Sequence, residues 1–186
     1  MASQNIDPMS AAANSAGNRR KESTKQVTER VDRHKVTNRL NQELMQLMMS
    51  PPKGISAFPD GDNIFSWKAT VEGSPDSMYE GLNYKLSMTF PPNYSYSAPT
   101  VKFLTPCFHP NVDTEGNICL DILKEEWIPT YTVSSILLSI QGLLAAPNVD
   151  SPLNLQAAQL WENPAAFRKT LHEKYQGDTK RKDQAK

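Results

Sequence analysis

The chain has 186 residues, which is one domain's worth with room for tails and a sizeable core. Twenty Lys and Arg side chains balance twenty Asp and Glu, and this argues against a nucleic-acid binder held by bulk charge. The balance is uneven: residues 1–38 carry seven basic and four acidic groups and residues 172–186 carry five and three, so an acidic body at −5 lies between two basic tails. Two cysteines, Cys107 and Cys119, are too few for a disulfide-stapled secreted scaffold. Met1 to Gly17 contains no apolar leader segment, and the longest uncharged run, Trp127 to Val149, is interrupted by Pro129, Gln141 and Gly142. The expectation is a soluble protein of a reducing compartment.

Residues 1–35 contain no aromatic side chain and are rich in Ala, Ser, Asn, Gln, Lys and Arg, the composition of a disordered extension. Val36, Leu40, Leu44, Leu47 and Met48 then recur at helical spacing until Pro51-Pro52 ends the helix. Gly54, Pro59 and Gly61 mark a loop. Phe65, Trp67, Ala69 and Val71 alternate as a half-buried strand; Leu82, Tyr84, Leu86, Met88 and Phe90 give a second, and Val101 and Phe103 a third. Short turns between them, such as Gly73-Ser74-Pro75-Asp76, predict an antiparallel meander rather than βαβ units. From Thr105 to Thr132 the patterning fades although large apolar residues persist, and a long irregular segment of that kind is usually functional. Val133 to Leu144 is apolar on most sides, a buried helix; Leu155 to Trp161 marks a third helix, and Pro164 opens a fourth with Phe167, Leu171 and Tyr175 on one face. The order is that of an α+β domain spanning 36–175, followed by a basic tail at 176–186.

Cys119 lies after the turn Asp113-Thr114-Glu115-Gly116. It reads either as a small buried hydrophobe or as a nucleophile held on a rigid loop edge, open to a large partner. The surrounding Asp113, Glu115, Asp121, Glu125 and Glu126 oppose a pre-formed thiolate, which disfavours a cysteine hydrolase. Cys107, His109 and Cys119 lack the fourth ligand and close pairing of a structural zinc site, and His34 and His172 lie in or near the tails. No metal is expected, and His109 is assigned hydrogen bonds that fix its loop. The sequence contains no G-x-S-x-G and no glycine-rich phosphate loop. Asn111, eight residues before Cys119, is open to two readings: a turn residue, or an amide donor to an oxyanion on a carbonyl attached to the cysteine.

His109-Pro110-Asn111, followed by Asn117-Ile118-Cys119-Leu120-Asp121-Ile122-Leu123 and then Trp127, resembles the active-site signature of ubiquitin-conjugating enzymes. The likeness extends to Gly73-Ser74-Pro75, Phe90-Pro91-Pro92, Pro99-Thr100-Val101-Lys102-Phe103 and Pro147-Asn148. It covers about residues 36–175 and implies one N-terminal helix, a four-stranded antiparallel meander sheet and three C-terminal helices. The tail opening Met1-Ala2-Ser3-Gln4-Asn5, Leu47-Met48-Met49-Ser50, Lys53-Gly54-Ile55-Ser56-Ala57-Phe58-Pro59 and Leu137-Leu138-Ser139-Ile140-Gln141 resemble, within that family, its C-type, mitotic cyclin-selective branch.

The resemblance implies that Cys119 accepts ubiquitin as a thioester from the ATP-using activating enzyme and passes it to substrate lysines. No cofactor is bound, because the activating enzyme consumes the ATP. It implies Asn111 as the oxyanion or loop-ordering asparagine, His109 and Pro110 as loop-shaping residues, and Asp121, Asp150 and Ser151 as support near the thioester. Ser151 stands where many members carry aspartate, so its implied role is orientation. Ligase contact is implied for Arg39 and Gln42 on the first helix, Tyr96 in one loop, and Pro129 with Thr130 in another. The implied partners are ubiquitin, the activating enzyme, protein substrates and a RING-type ligase, the anaphase-promoting complex, in cytoplasm and nucleus, with neither nucleic acid nor membrane. Ser95 and Ala98 replace prolines common in the family's aromatic loop, and Ser134 and Ala146 replace the arginine and glutamate usual in the C-type. Lys21, Lys25 and Lys35 belong to a solvated tail, or to one that gates ligase engagement or accepts ubiquitin. The alternatives are a carrier for another ubiquitin-like modifier, and a non-catalytic ubiquitin-binding scaffold, which the presence of Cys119 opposes.

Overall fold

A computed structural model describes residues 33–184. Most of the N-terminal extension, with Lys21 and Lys25, therefore lies outside the described residues, whereas Lys35 sits exposed on the first helix. That helix, α1 (residues 33–49), buries Val36, Leu40, Glu43 and Leu47, one side of a 3.6-residue repeat. Four strands follow, β1 (Ile55–Asp60), β2 (Asn63–Glu72), β3 (Asn83–Thr89) and β4 (Thr100–Phe103), then a 3-10 turn at Asp121–Leu123. Helices α2 (Val133–Ala145), α3 (Leu155–Trp161) and α4 (Pro164–Gln184) complete the chain.

The strands pair antiparallel in the order β1-β2-β3-β4, the four-stranded meander that the resemblance implies; periodicity alone marks only β2, β3 and β4. Ile55–Asp60 was expected as loop because of its flanking glycines and Pro59. An edge strand tolerates that proline, since one side of its backbone needs no partner, and the register shifts directly after it, between Pro59 and Asp60. Period-2 alternation sends Ala57, Ala69, Leu86 and Phe103 to one face in register, with Trp67, Met88 and Val101 beside them. Val133, Ile136, Leu137, Ile140 and Leu144 of α2 join this single core, as do Ala157 of α3 and Phe167 and Leu171 of α4. Burying an aliphatic side chain contributes roughly 1.5–3 kcal/mol, so these positions dominate the fold's stability.

Helix α2 starts where Thr132 and Ser135 form a reciprocal capping box, each satisfying the other's backbone N–H. Asn154 caps α3 by accepting from the Ala157 N–H. Helix α4 continues beyond Tyr175, where the sequence pattern placed the end of the domain, and runs to Gln184.

Candidate active site

The segment between β4 and α2 lacks regular patterning because its backbone is pinned piece by piece. Asp113 makes the first pin: its carboxylate accepts from the backbone N–H groups of Glu115 and Asn117 and from the Asn117 side chain, at 2.7–2.9 Å. Slight burial raises the Asp113 carboxyl's pKa, and these bonds, with Lys102 nearby, outweigh it and hold it below its usual value. Gly116 ends that turn at φ +82°, and a Cβ there would lie 2.2 Å from the Phe103 carbonyl. The left-handed backbone and the close approach to β4 both require glycine. Val112 then bridges Ile118, and the Cys119 N–H donates to the Asn111 carbonyl at 2.9 Å. Cys119 is consequently a half-buried thiol on a fixed backbone beside the His109-Pro110-Asn111 strip.

His109 is fully buried. Its Nε2–H donates to the Leu143 carbonyl of α2 at 2.9 Å, and its Nδ1 accepts from the Asn111 N–H at 3.0 Å. The rings of Tyr79 and Trp161 stand 5.7 and 6.1 Å from it, and the Tyr79 hydroxyl holds the preceding Phe108 carbonyl at 2.8 Å. Burial drives the imidazole pKa down to about 4, the Leu143 bond only partly opposing it. With both nitrogens occupied, this histidine ties the loop to α2 and has no free lone pair with which to activate a thiol.

Asn111 was open to two readings, and its side chain here is used for loop holding. Nδ2 donates to the Asn148 carbonyl at 2.7 Å and Oδ1 accepts from the Asn148 N–H at 2.8 Å. The Pro110 carbonyl accepts from the Leu153 and Asn154 N–H groups at 2.8 and 3.0 Å. The loop carrying Asp150 and Ser151 is thus tied at one end to Asn111, the cysteine's own backbone partner, and at the other to Pro110 before it. Asp150 and Ser151 are exposed on that arc, and Asp150 N–H donates to the Asn148 side chain at 3.1 Å. Asp121 is exposed and opens the 3-10 turn that follows Cys119.

Lys124 was missed by sequence reasoning, which counted only the carboxylates around the cysteine. It caps the 3-10 turn, its N–H donating to the Asp121 carbonyl at 2.9 Å, and the turn folds its ammonium back to 3.4 Å from Cys119 Sγ. The signal was present as a lysine one short turn beyond the cysteine. The other thiol, Cys107, is buried in the core, and burial pushes its pKa well up.

The five residues expected at a partner surface come from three segments that the structure joins. Glu43 of α1 is a buried carboxylate that accepts from Arg39 Nε at 2.6 Å, from the Tyr94 hydroxyl at 3.0 Å and from the Val133 N–H at 2.7 Å. Trp127 Nε1–H donates to the Ser95 carbonyl at 2.8 Å, linking the two loops. Gln42, Tyr96, Pro129 and Thr130 are exposed, Tyr96 at 82%. Arg39 differs from the rest: besides Glu43, its guanidinium donates to the Tyr131 carbonyl at 3.2 Å and lies 3.5 Å from that of Pro129. It holds the surface together more than it projects from it.

The arrangement offers a half-buried thiol on a rigid edge, with the Lys124 ammonium and, among the described residues, no imidazole or carboxylate hydrogen-bonded to it, and a separate exposed cluster of Gln42, Tyr96, Pro129 and Thr130. Residues 39–175 match the family model for ubiquitin-conjugating enzymes. The chain is also 56% identical over 147 residues to a ubiquitin-conjugating enzyme E2-20 kDa of Schizosaccharomyces pombe, a match covering 78% of this chain and 84% of the relative. On the strength of a family match across most of the chain and a relative that similar, the chain belongs to the ubiquitin-conjugating enzymes.

Proposed function

We propose that Cys119 carries ubiquitin as a thioester and that a RING-type ligase, the anaphase-promoting complex, directs its transfer to lysines of mitotic cyclins, in cytoplasm and nucleus. The observation that carries the thioester reading is the thiol's setting. Cys119 is half-exposed on a pinned backbone, while the neighbouring imidazole of His109 has both nitrogens occupied. A hydrolase needs a base poised beside its nucleophile; a carrier is better without one, because it must hold an activated acyl group without delivering it to water. The acyl group arrives activated at the cost of ATP on the activating enzyme, so no cofactor is required on this chain. Asp150 and Ser151, on the loop tied to Asn111 and Pro110, are suited to orienting an incoming lysine, Asp150 by its charge and Ser151 by its hydroxyl.

The ligase assignment rests on the C-type sequence resemblance and on the exposed cluster of Gln42, Tyr96, Pro129 and Thr130. Charging tests the core of the reading. The protein is mixed with ubiquitin, Mg-ATP and the ubiquitin-activating enzyme, then run on gels with and without thiol reductant. A reductant-sensitive band heavier by one ubiquitin, absent from Cys119→Ala, is the expected result. A folded sample that gives no such band refutes the ubiquitin reading. The ligase is tested by adding the anaphase-promoting complex and a mitotic cyclin fragment to the charged protein, where failure to speed discharge would reject that partner.

A further inference from the structure

We propose that the cleft between the start of α1, the start of β2 and the loop after β3 binds a small aromatic anion of the nucleoside-monophosphate class. The cleft holds about 760 Å³, within the roughly 300–1,000 Å³ of ligand pockets. None of the residues that pin Cys119 lines it, and the proposal stands whether or not the cysteine carries ubiquitin.

The lining is largely aromatic, with Phe65, Phe90, Tyr94 and Tyr96 all contributing. Phe90 and Tyr94 are buried with their centroids 4.9 Å apart, and the Tyr94 hydroxyl is anchored on Glu43, so this part of the wall is fixed. Phe65 is half-buried and Tyr96 is left in water, where each gains by covering a planar ligand.

The charge in the lining has one sign. Arg33 and Lys35 are exposed there, and neither forms a salt bridge with a carboxylate among the described residues. No Asp or Glu lines the cleft. Glu43, behind the Tyr94 hydroxyl, is taken up by Arg39 and the Val133 N–H, and Asp60 is paired with Lys68. The Arg33 guanidinium lies 5.2 Å from the Phe65 ring centroid, so a cation already stands beside the aromatic wall. A phosphate monoester, with up to two negative charges, matches two unpaired cations.

The backbone favours a small molecule over a peptide. The Phe90 N–H donates to the Phe65 carbonyl at 2.8 Å, the Tyr94 N–H to that of Pro91 at 3.0 Å and the Tyr96 N–H to that of Asn93 at 2.9 Å, so an extended chain finds no ladder to join here. Side-chain groups remain available. Asn63 Oδ1 accepts from the Phe65 N–H and Asn93 Nδ2 donates to Ser97, which leaves Asn63 Nδ2 and Asn93 Oδ1 without a partner among the described residues. One donor and one acceptor suit the polar edge of a base.

The test titrates the full-length, isotope-labelled protein with adenosine monophosphate by NMR, using adenosine and inorganic phosphate as the two half-ligands. Saturable shifts at the amides of Phe65, Phe90 and Tyr96 are expected, with a Kd below about 1 mM, and each half-ligand should bind at least about tenfold more weakly. Arg33→Ala combined with Lys35→Ala should weaken the nucleotide by at least about tenfold, the loss of one charge-assisted hydrogen bond. Tyr96→Ala, at an exposed position, should weaken it by about fivefold through lost stacking. Added salt should loosen the nucleotide and leave adenosine unaffected. The proposal is overturned by shifts that do not saturate, by shifts centred on Cys119, or by a half-ligand that binds as tightly as the nucleotide. Unchanged affinity in the double variant would also overturn it, and a glutamate-rich peptide that binds this cleft more tightly would assign it to an acidic protein partner instead.

Discussion

Acidification should unfasten the active-site strip through His109 before it reaches most carboxylates. The imidazole is buried and neutral, with its pKa lowered from the usual 6.5 to about 4. A histidine depressed in the folded state contributes stability that is fully present above its unfolded pKa and is lost as pH falls toward the folded value. The window is therefore pH 6.5 to about 4, over which the unfolded chain takes up a proton that the native protein refuses. That interval corresponds to about 3 kcal/mol, an appreciable part of the 5–15 kcal/mol typical of a domain. Protonation also removes the Nδ1 lone pair that accepts from the Asn111 N–H, so the loss falls on the strip that aligns Cys119. Asp113, whose pKa is lowered from 3.8, weakens the fold only below the histidine's window. Urea denaturation at fixed ionic strength between pH 7 and 4.5 should show the midpoint falling progressively. An NMR titration should find the His109 ring still neutral at pH 5, as the Nε2–H tautomer. A flat midpoint over that range, or a His109 that titrates near its usual value, would refute the reasoning; so would an undiminished slope in His109→Gln.

Asn111→Ala removes both ties to Asn148 and leaves its N–H and C=O without their side-chain partner; stability should fall by about 1–3 kcal/mol, and discharge of the thioester to free lysine should slow while the reductant-sensitive band still forms. Denaturation and single-turnover discharge measure the two effects separately. Glu43→Ala strips the acceptor from Arg39, Tyr94 and Val133 at once and should cost about 3–5 kcal/mol, seen as a lowered melting temperature. Gly116→Ala forces a side chain into the Phe103 carbonyl at positive φ, and a loss of about 2–4 kcal/mol in urea is expected. Tyr96→Ala removes an exposed ring, so it should leave the melting temperature unchanged within about 0.5 kcal/mol while reducing ligase-stimulated discharge.

The α+β order, the meander and most of the core were legible in the sequence because periodicity reports which face of an element is buried, and burial dominates the energetics. Trp67, Ala69 and Val71, or Leu86 and Met88, could hardly be placed otherwise. The first strand escaped because an edge strand obeys looser rules, and Pro59 and Gly54 in a short segment imitate a loop. The two ends of the helical set were also hidden, since residues 33–35 and 176–184 carry no apolar repeat.

At the site, sequence by itself singled out the candidate thiol and the motif around it: a cysteine after a turn, eight residues beyond Asn111 of His109-Pro110-Asn111, in a chain with no G-x-S-x-G. Only the tertiary structure decided how each residue is used. It shows both nitrogens of His109 occupied in the core, the Asn111 amide committed to residue 148, Arg39 turned inward onto Glu43, and Lys124 set against the sulfur. The physical reason is range. Hydrophobic periodicity acts between neighbours along the chain and can be read from it, whereas a hydrogen bond depends on positions fixed to a few tenths of an ångström by elements far apart in sequence. His109 meets Leu143 and Asn111 meets Asn148 because α2 is packed into the same core, and nothing local to either residue specifies that meeting.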